Sequence, residues 1–199
     1  MRKLLTTVIL LVTAAAGIVF FGTLVRATFF SPEFELEVPD LESRAQTIPP
    51  EEQPQRLEIP KLEIDTDIQY VGVNAKGNMG VPSNYSDVAW YKYGTAPGQI
   101  GSAVIDGHVD NGLGLAGVFK RLVEMKRGDD VYVVTKEGRR LHFVVTKTAT
   151  YDYKDVPTED LFNKNDAAYL NLITCEGSWI KTEKTYDKRL VVYTRLVND

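Results

Sequence analysis

Cysteine and histidine are both scarce in this chain. Its 199 residues include one cysteine, Cys175, and two histidines, His108 and His142. A single cysteine excludes an intramolecular disulfide and a zinc site built on cysteines. Any metal site would therefore consist mostly of carboxylates, and the sequence contains no compelling acidic cluster. We predict a protein that needs no metal and no other cofactor.

A strong excess of charge of one sign is also absent. The chain is 44% hydrophobic and 25% charged, with a net charge of −4 at pH 7. These are the proportions of an ordinary globular protein. Nucleic-acid-binding domains usually carry a basic excess, so we predict no nucleic-acid partner.

The N-terminus carries a long stretch without a charged side chain. Met1, Arg2 and Lys3 are followed by residues 4–25, which are uncharged. About 20 apolar residues span a bilayer core as a helix. We predict a cytoplasmic N-terminus over residues 1–3 and a transmembrane anchor over residues 4–25. A cleaved signal peptide is the alternative, but the apolar run continues beyond the small residues 14–16.

The charges that flank this stretch indicate its orientation. Arg2 and Lys3 precede it, whereas residues 31–56 contain seven acidic and two basic residues. Under the positive-inside rule, the rest of the chain then lies outside the cell. Residues 26–56 are rich in proline and glutamate and poor in aliphatic residues, which predicts an extended linker. An arm around Leu36 that packs on the following domain is the alternative.

From Leu57 onward the apolar residues form short runs, often at every second position. Leu57 and Ile59 alternate with polar residues, and a turn around Gly138 joins two further runs. This pattern predicts about eight short strands and an all-β, closed or nearly closed barrel over residues 57–199. One or two short helices are predicted within residues 115–125 and 157–162.

Two predicted strands end in side chains that could carry chemistry. Cys175 ends the apolar run from Tyr169 and precedes a turn signal, and His108 follows Gly107 at the end of another strand. A buried cysteine most often acts as a small hydrophobic residue. A catalytic thiol needs a proton donor and acceptor nearby and a donor for the oxyanion. His108 is the candidate for the first role, because His142 lies on the predicted solvated face of its strand.

An arginine could supply the oxyanion donor. Arg189 opens the last predicted strand, directly after a polar segment, 176–188, that we predict to be a loop. Arg195 has the same side-chain parity on that strand, so the pattern does not choose between them.

Taken together, these features resemble a sortase. The most specific piece is Leu172-Ile173-Thr174-Cys175 followed by Arg189, and Asn171 replaces the threonine that is usual in the family. Gly107-His108 at a strand end and the N-terminal anchor fit the same family. The run from Trp90 to Phe119 is most similar to the single-domain class F-type sortases.

The resemblance implies an eight-stranded sortase-type β-barrel behind a transmembrane helix, and the activity of a cysteine transpeptidase or endopeptidase. Cys175 would attack the Thr–Gly bond of an LPXTG-like sorting signal and form a thioacyl intermediate. His108 would protonate the leaving amine, and Arg189 would hold the oxyanion. The acyl group would pass to the amine of a cell-wall precursor, or to water.

The resemblance also implies further site residues and a location. Thr174 and the N–H of Glu176 would support the oxyanion or position the substrate, and Trp179 would line the substrate groove. Sorting-signal proteins would be the partners. The enzyme would sit in the cell membrane of a Gram-positive-type bacterium, with its catalytic domain extracellular.

Two other functions fit parts of the sequence. An L,D-transpeptidase-like wall enzyme also uses cysteine and histidine, but in such enzymes the two lie in one short stretch. Here 67 positions separate His108 from Cys175. The other alternative is a non-catalytic, anchored β-domain that binds wall components; the presence of all three candidate catalytic residues argues against it.

Overall fold

The computed structural model describes residues 11–22, 36–38, 48–111 and 113–197. Residues 11–22 form helix α1. Eight strands follow in the described part of the chain: β1 (Pro54–Ile59), β2 (Ile64–Val71), β3 (Val88–Tyr91), β4 (Gly101–Gly107), β5 (Asp130–Thr135), β6 (Arg140–Asp152), β7 (Ala168–Ile180) and β8 (Thr185–Leu196). Helix α2 (Thr158–Phe162) lies between β6 and β7, and short 3₁₀ turns occupy Pro50–Glu52, Pro60–Leu62 and Leu122–Glu124.

The strands close into one barrel in the order β1-β2-β3-β4-β7-β8-β6-β5. Most neighbours are antiparallel, but β2 pairs with β3 and β4 pairs with β7 in parallel. The predicted all-β barrel is therefore confirmed, and so are short helical segments in both predicted regions. The parallel β4–β7 pair matters most for function, because it places the ends of two distant strands side by side.

The barrel interior is apolar because alternate residues of each strand point into it. On β7 these are Leu170 and Leu172, on β4 Ala103 and Ile105, and on β8 Val192 among others. Each of these five side chains is fully buried. Burying a leucine stabilises the fold by about 2 kcal/mol, so this interior is the main source of stability.

A second apolar cluster lies on the outer face of the same three strands. Val104, Ile173 and Val191 contribute to it, and Leu161 and Phe162 of α2 pack over it. Cys175 packs at its margin. The nucleophile candidate thus lies on the outside of the barrel wall, next to an apolar surface.

The folded domain begins earlier than the predicted boundary at residue 57. Strand β1 starts at Pro54, and Ile48 is buried in the barrel interior. Leu36 is buried in the outer cluster, and its carbonyl accepts a hydrogen bond from the N–H of Met79 at 3.0 Å. The prediction of an extended linker over 26–56 is wrong for these positions, because three isolated apolar residues suffice to dock a proline-rich segment. The packed arm around Leu36, left open above, is what the structure shows.

The remainder of the predicted linker, and much of the predicted anchor, falls outside the described residues. Residues 4–10 and 23–25 of the anchor belong to that part, while 11–22 are helical. Among the helices that are described, none has the length and apolar character required to cross a bilayer.

Candidate functional site

The candidate nucleophile and the candidate oxyanion donor lie on adjacent strands. Cys175 on β7 faces Arg189 on β8 in the antiparallel register. Arg195 faces Tyr169 at the opposite end of β7 and is exposed. The structure therefore makes the choice that side-chain parity left open, since only Arg189 neighbours the thiol.

The segment 176–188 is a hairpin and not the predicted loop. Strand β7 continues to Ile180, β8 begins at Thr185, and only residues 181–184 form the turn. The register shifts between Glu176 and Trp179, where Gly177 adopts a positive φ of 85°. A bulge with glycine at this position accommodates polar residues without ending the strand pairing, so the strands continue where the polar sequence predicts a loop.

His108 reaches the site through the parallel pairing of β4 with β7. The last pair in that register is Asp106 with Ile173, and His108 and Cys175 each lie two residues further along. The Thr174 hydroxyl donates to the Gly107 carbonyl at 2.7 Å and joins the two strand ends. The parallel pairing thus places residues 67 positions apart in the sequence on neighbouring chain segments at one edge of the barrel.

Glycines let the chain turn closely around His108. A Cβ on Gly107 would approach the Phe119 ring to 2.5 Å, and one on Gly117 would approach the His108 carbonyl oxygen to 2.3 Å. Neither contact is sterically acceptable, so both positions require glycine. The close packing brings the segment around Gly117 against His108, and the Phe119 N–H donates to the His108 carbonyl at 3.0 Å.

The His108 ring is buried and fixed. Its Nε2 lies 3.0 Å from the Pro82 carbonyl oxygen, and the Tyr85 ring packs at 5.3 Å between centroids. Burial lowers the pKa of His108, while the Pro82 contact and the Asp110 charge raise it. The net shift is downward, which favours the neutral imidazole at rest.

The Cys175 thiol is also neutral at rest. Burial, helped by the charges of Asp106 and Asp110, raises its pKa to about 12 against the lowering effect of Arg189. The reactive thiolate therefore has to be created by proton transfer, with Arg189 as the neighbouring positive charge that stabilises it.

Arg189 is fully buried and anchored by β8 itself. One terminal nitrogen donates to the carbonyls of Tyr186 and Lys188, both at 2.9 Å, and the other donates to Thr185 Oγ1 at 2.8 Å. The guanidinium also lies 5.6 Å from the centroid of the Tyr153 ring. These contacts hold the charge in one orientation.

The remaining predicted site residues occupy different surroundings. The Thr174 hydroxyl is committed to Gly107, and Thr174 is buried. Glu176 faces Lys188 in the β7–β8 ladder. Trp179 is 41% exposed and packs edge-on against Tyr186, 5.3 Å between centroids. His142 belongs to β6, where it pairs with Asp130 at 2.7 Å.

Three polar residues of the site escaped the sequence analysis as catalytic-site candidates. Asp106 is buried, and burial raises its pKa to about 8 against the lowering effect of Arg189. Tyr186 donates its hydroxyl proton to Asp110 Oδ2 at 2.5 Å. Asp106 could have been noticed as a charge at the end of an otherwise apolar strand, whereas no sequence signal relates Tyr186 to Asp110.

No cluster of three potential metal ligands occurs within the described ranges. The charged side chains near the thiol are of both signs, and the acids there contact a tyrosine, a lysine and a backbone N–H. The arrangement is suited to acyl transfer through a thiol, with an imidazole to move protons and a guanidinium to stabilise negative charge.

The chain matches the model of the Sortase domain over residues 57–197. No curated protein matches it. Among solved structures, sortase C-1 from Actinomyces oris is 22% identical, with a TM-score of 0.60, 94% of this chain covered and 99% of that one. Sortase C from Streptococcus pneumoniae is 19% identical, with a TM-score of 0.59 and coverages of 88% and 84%.

Sortase A from Corynebacterium diphtheriae is also similar in fold. It is 20% identical, with a TM-score of 0.58, and the match covers 74% of this chain but only 61% of that one. At these identities the likeness extends to the fold, and the similar structures include sortases of types A and C. The class F-type likeness stays a prediction from the sequence.

Proposed function

The chain belongs to the sortase family of cysteine transpeptidases, and on that basis we propose that it cleaves an LPXTG-like sorting signal between threonine and glycine. The acyl group then passes to an amine of a cell-wall precursor. The observation that supports this most directly is the juxtaposition of Cys175, Arg189 and His108 at one edge of the barrel.

The proposed first half-reaction consumes the signal and leaves a thioester. The Cys175 proton moves to His108, and the sulfur attacks the threonine carbonyl carbon. Arg189 stabilises the oxyanion, with the Glu176 N–H as a second proposed donor. The tetrahedral species collapses, the C–N bond to glycine breaks, and His108 returns the proton to the departing amine.

The second half-reaction reverses the roles. The incoming amine attacks the thioester carbon and gives a proton to His108, the C–S bond breaks, and Cys175 regains its proton. Water in place of the amine gives hydrolysis. Because both Cys175 and His108 are neutral at rest, the reactive pair forms only by proton transfer between them.

The outer apolar cluster supports a peptide donor with apolar residues. Val104, Ile173 and Val191 lead along the barrel wall to Cys175. A cavity of about 490 Å³ lies beside this cluster and is lined by Leu36, Tyr153 and Glu183, among others. An extended segment that begins with leucine and proline would pack against the partly buried margin of this cluster, where Val156 and Cys175 lie, and present its threonine carbonyl to the thiol.

The proposed location is the outer face of a Gram-positive-type cell membrane. The uncharged stretch 4–25 with Arg2 and Lys3 before it supports a single-pass anchor with a cytoplasmic N-terminus. Tethering enzyme and sorting-signal protein to one membrane raises their effective concentration.

The experiment that tests this function is an intact mass of the full-length chain in detergent. The chain should be kept whole, because Leu36, Ile48 and Pro54 belong to the folded domain. With an LPXTG peptide and no acceptor amine, we expect an adduct of the acyl fragment on the wild type and none on Cys175→Ala. The Arg195→Lys variant should form the adduct as the wild type does. A reduced wild-type protein that neither cleaves nor retains any peptide of a motif panel would contradict the proposal.

A further inference from the structure

A chain of side-chain contacts crosses the mouth of the site. Trp179 packs against Tyr186, the Tyr186 hydroxyl donates to Asp110 Oδ2 at 2.5 Å, and Lys120 Nζ lies 3.9 Å from the same oxygen. Tyr186 belongs to the β7–β8 hairpin, whereas Asp110 belongs to the segment that follows β4. The hydrogen bond therefore links the two walls that carry Arg189 and His108.

The Asp110 carboxylate is held in place from its own side as well. Its backbone forms a bridge with Ala116, and the Gly117 N–H donates to the Val109 carbonyl at 3.0 Å. These bonds, with the Phe119–His108 bond described above, make residues 108–119 a small ladder around His108. The Asp110 side chain is 14% exposed, so its charge is poorly screened by water.

Several charged or titratable groups surround His108 and Cys175. They come from β4 and its continuation, from residues 85 and 120, and from β8: Asp106, Asp110, Tyr85, Lys120, Tyr186 and Arg189. Among them Asp110 is the charge that raises the pKa of His108. It also raises the pKa of Cys175, so its net effect favours a proton on the imidazole over an ionised thiol.

We propose that Tyr186 and Asp110 are positioning residues for His108: the tyrosine hydroxyl holds the Asp110 carboxylate where its negative charge stabilises the imidazolium. This inference rests on the proposed role of His108 as the acid that protonates the leaving amine. In that role the imidazolium must persist until the tetrahedral species collapses, and a fixed carboxylate lowers the free energy of that state. The Asp110 charge thus partly offsets the free-energy cost of burying the imidazolium.

The test is a titration of His108 by NMR in the full-length chain, labelled at histidine, in detergent. Asp110→Asn keeps the shape and removes the charge, so we expect the pKa of His108 to fall by about one unit. Tyr186→Phe keeps the ring and removes the hydrogen bond, so we expect a smaller fall. The double variant should shift the pKa no further than Asp110→Asn alone, because the tyrosine acts only through the carboxylate.

The chain offers matched controls for both changes. Asp130→Asn removes a carboxylate from beside the other histidine, and Tyr169→Phe removes a tyrosine–aspartate hydrogen bond to Asp166. Neither should alter the titration of His108. The His142 signal is the internal reference in the spectra of the Asp110, Tyr186 and Tyr169 variants. A His108 titration that is unchanged in both Asp110→Asn and Tyr186→Phe would overturn the inference.

Kinetics separate this inference from the proposed function. If the wild type forms the acyl adduct, we expect Tyr186→Phe to lower kcat several-fold with little change in KM. The acidic limb of the pH–rate profile, which reports the pKa of His108, should move to lower pH. A wild type without an adduct overturns the proposed function, and the NMR titration then decides the pairing of Asp110 with His108 by itself. If Asp110→Asn does not fold, the His108 titration in Tyr186→Phe tests the inference alone, and an unchanged pKa would overturn it.

Discussion

The inner and outer faces of the barrel wall are built from alternate residues of the same strands, but only the outer face changes from apolar to polar along the strands. The inner face of β7, with Leu170 and Leu172, is apolar and closed by the other strands. The outer face is apolar at Ile173 and then presents Cys175, next to Arg189 of β8. The comparison teaches that stability and chemistry are assigned to opposite sides of one sheet, so substitutions can separate them.

The largest effect should come from Arg189→Lys on the outer face. A lysine cannot reproduce the fixed contacts of the guanidinium with Tyr186, Lys188 and Thr185. We expect kcat/KM to fall by about 100-fold or more, as for the loss of an oxyanion donor. The measurement is peptide cleavage beside Arg195→Lys, which should keep wild-type activity. Equal losses in the two variants would show that Arg189 has no special role.

Next in size are Leu172→Ala and Ile173→Ala, neighbours on opposite faces that are both fully buried. Each should reduce the free energy of unfolding by about 3 kcal/mol, measured by urea denaturation. Only Ile173→Ala should also raise the KM for the sorting peptide, because Ile173 belongs to the outer cluster that leads to Cys175. A KM raised equally by Leu172→Ala would contradict the separation of the two faces.

A smaller effect is expected for Asp106→Asn, which removes the buried acid at the polar end of the outer face. The folded protein raises the pKa of Asp106 from 3.8 to about 8, so the carboxyl stays protonated over a range where the unfolded chain has lost the proton. The wild type should therefore lose stability as pH rises from about 4 to about 8. Relative to it, the variant should become progressively more stable as pH rises, with the largest gain above pH 8 and little near pH 4.

Thermal unfolding at several pH values measures this difference. Asp155→Asn, at an exposed position between β6 and α2, is the control and should leave the pH dependence of the melting temperature unchanged. A stability gain of Asp106→Asn that is the same at pH 4 and pH 9 would show that ionisation of the carboxyl is not its cause.

The smallest expected effect is that of Trp179→Ala at the margin of the outer face. The side chain is partly exposed and packs on Tyr186, so its loss should raise KM several-fold with little change in kcat. The kinetic control is Ile100→Ala, because Ile100 is an exposed apolar residue that directly precedes the first residue of β4. Unchanged kinetics in Trp179→Ala would remove this residue from the substrate groove.

Alternation along the strands made the barrel predictable from the sequence. Leu57 and Ile59 are fully buried, as their spacing indicates. The pattern also located His108 directly after strand β4, whereas the predicted strand end at Cys175 is wrong, because β7 continues through the bulge at Gly177 to Ile180. What it could not supply is register: Arg189, and not Leu190, faces Cys175 because the bulge at Gly177 shifts the β7–β8 pairing by one residue, which a two-residue period does not encode.

Long-range contacts were the other feature beyond sequence reasoning. The alternation around Leu36 left a packed arm open, but nothing local indicates that its side chain packs with the outer cluster. The hydrogen bond between Tyr186 and Asp110 joins residues 76 positions apart, and each is unremarkable in its own segment. Such pairs follow from closure of the barrel and not from any local preference.

The parallel pairing of β4 with β7 also has a consequence for the order of events in folding. The β7–β8 hairpin is local in sequence and can form early, whereas β4 and β7 are separated by all of β5, β6 and α2. Closing so long a loop costs entropy before any contact compensates for it, which makes pairings of this kind slow. Since His108 meets Cys175 only through that pairing, the thiol has no acid partner until the barrel is complete. The Cys–His pair is therefore assembled late in folding.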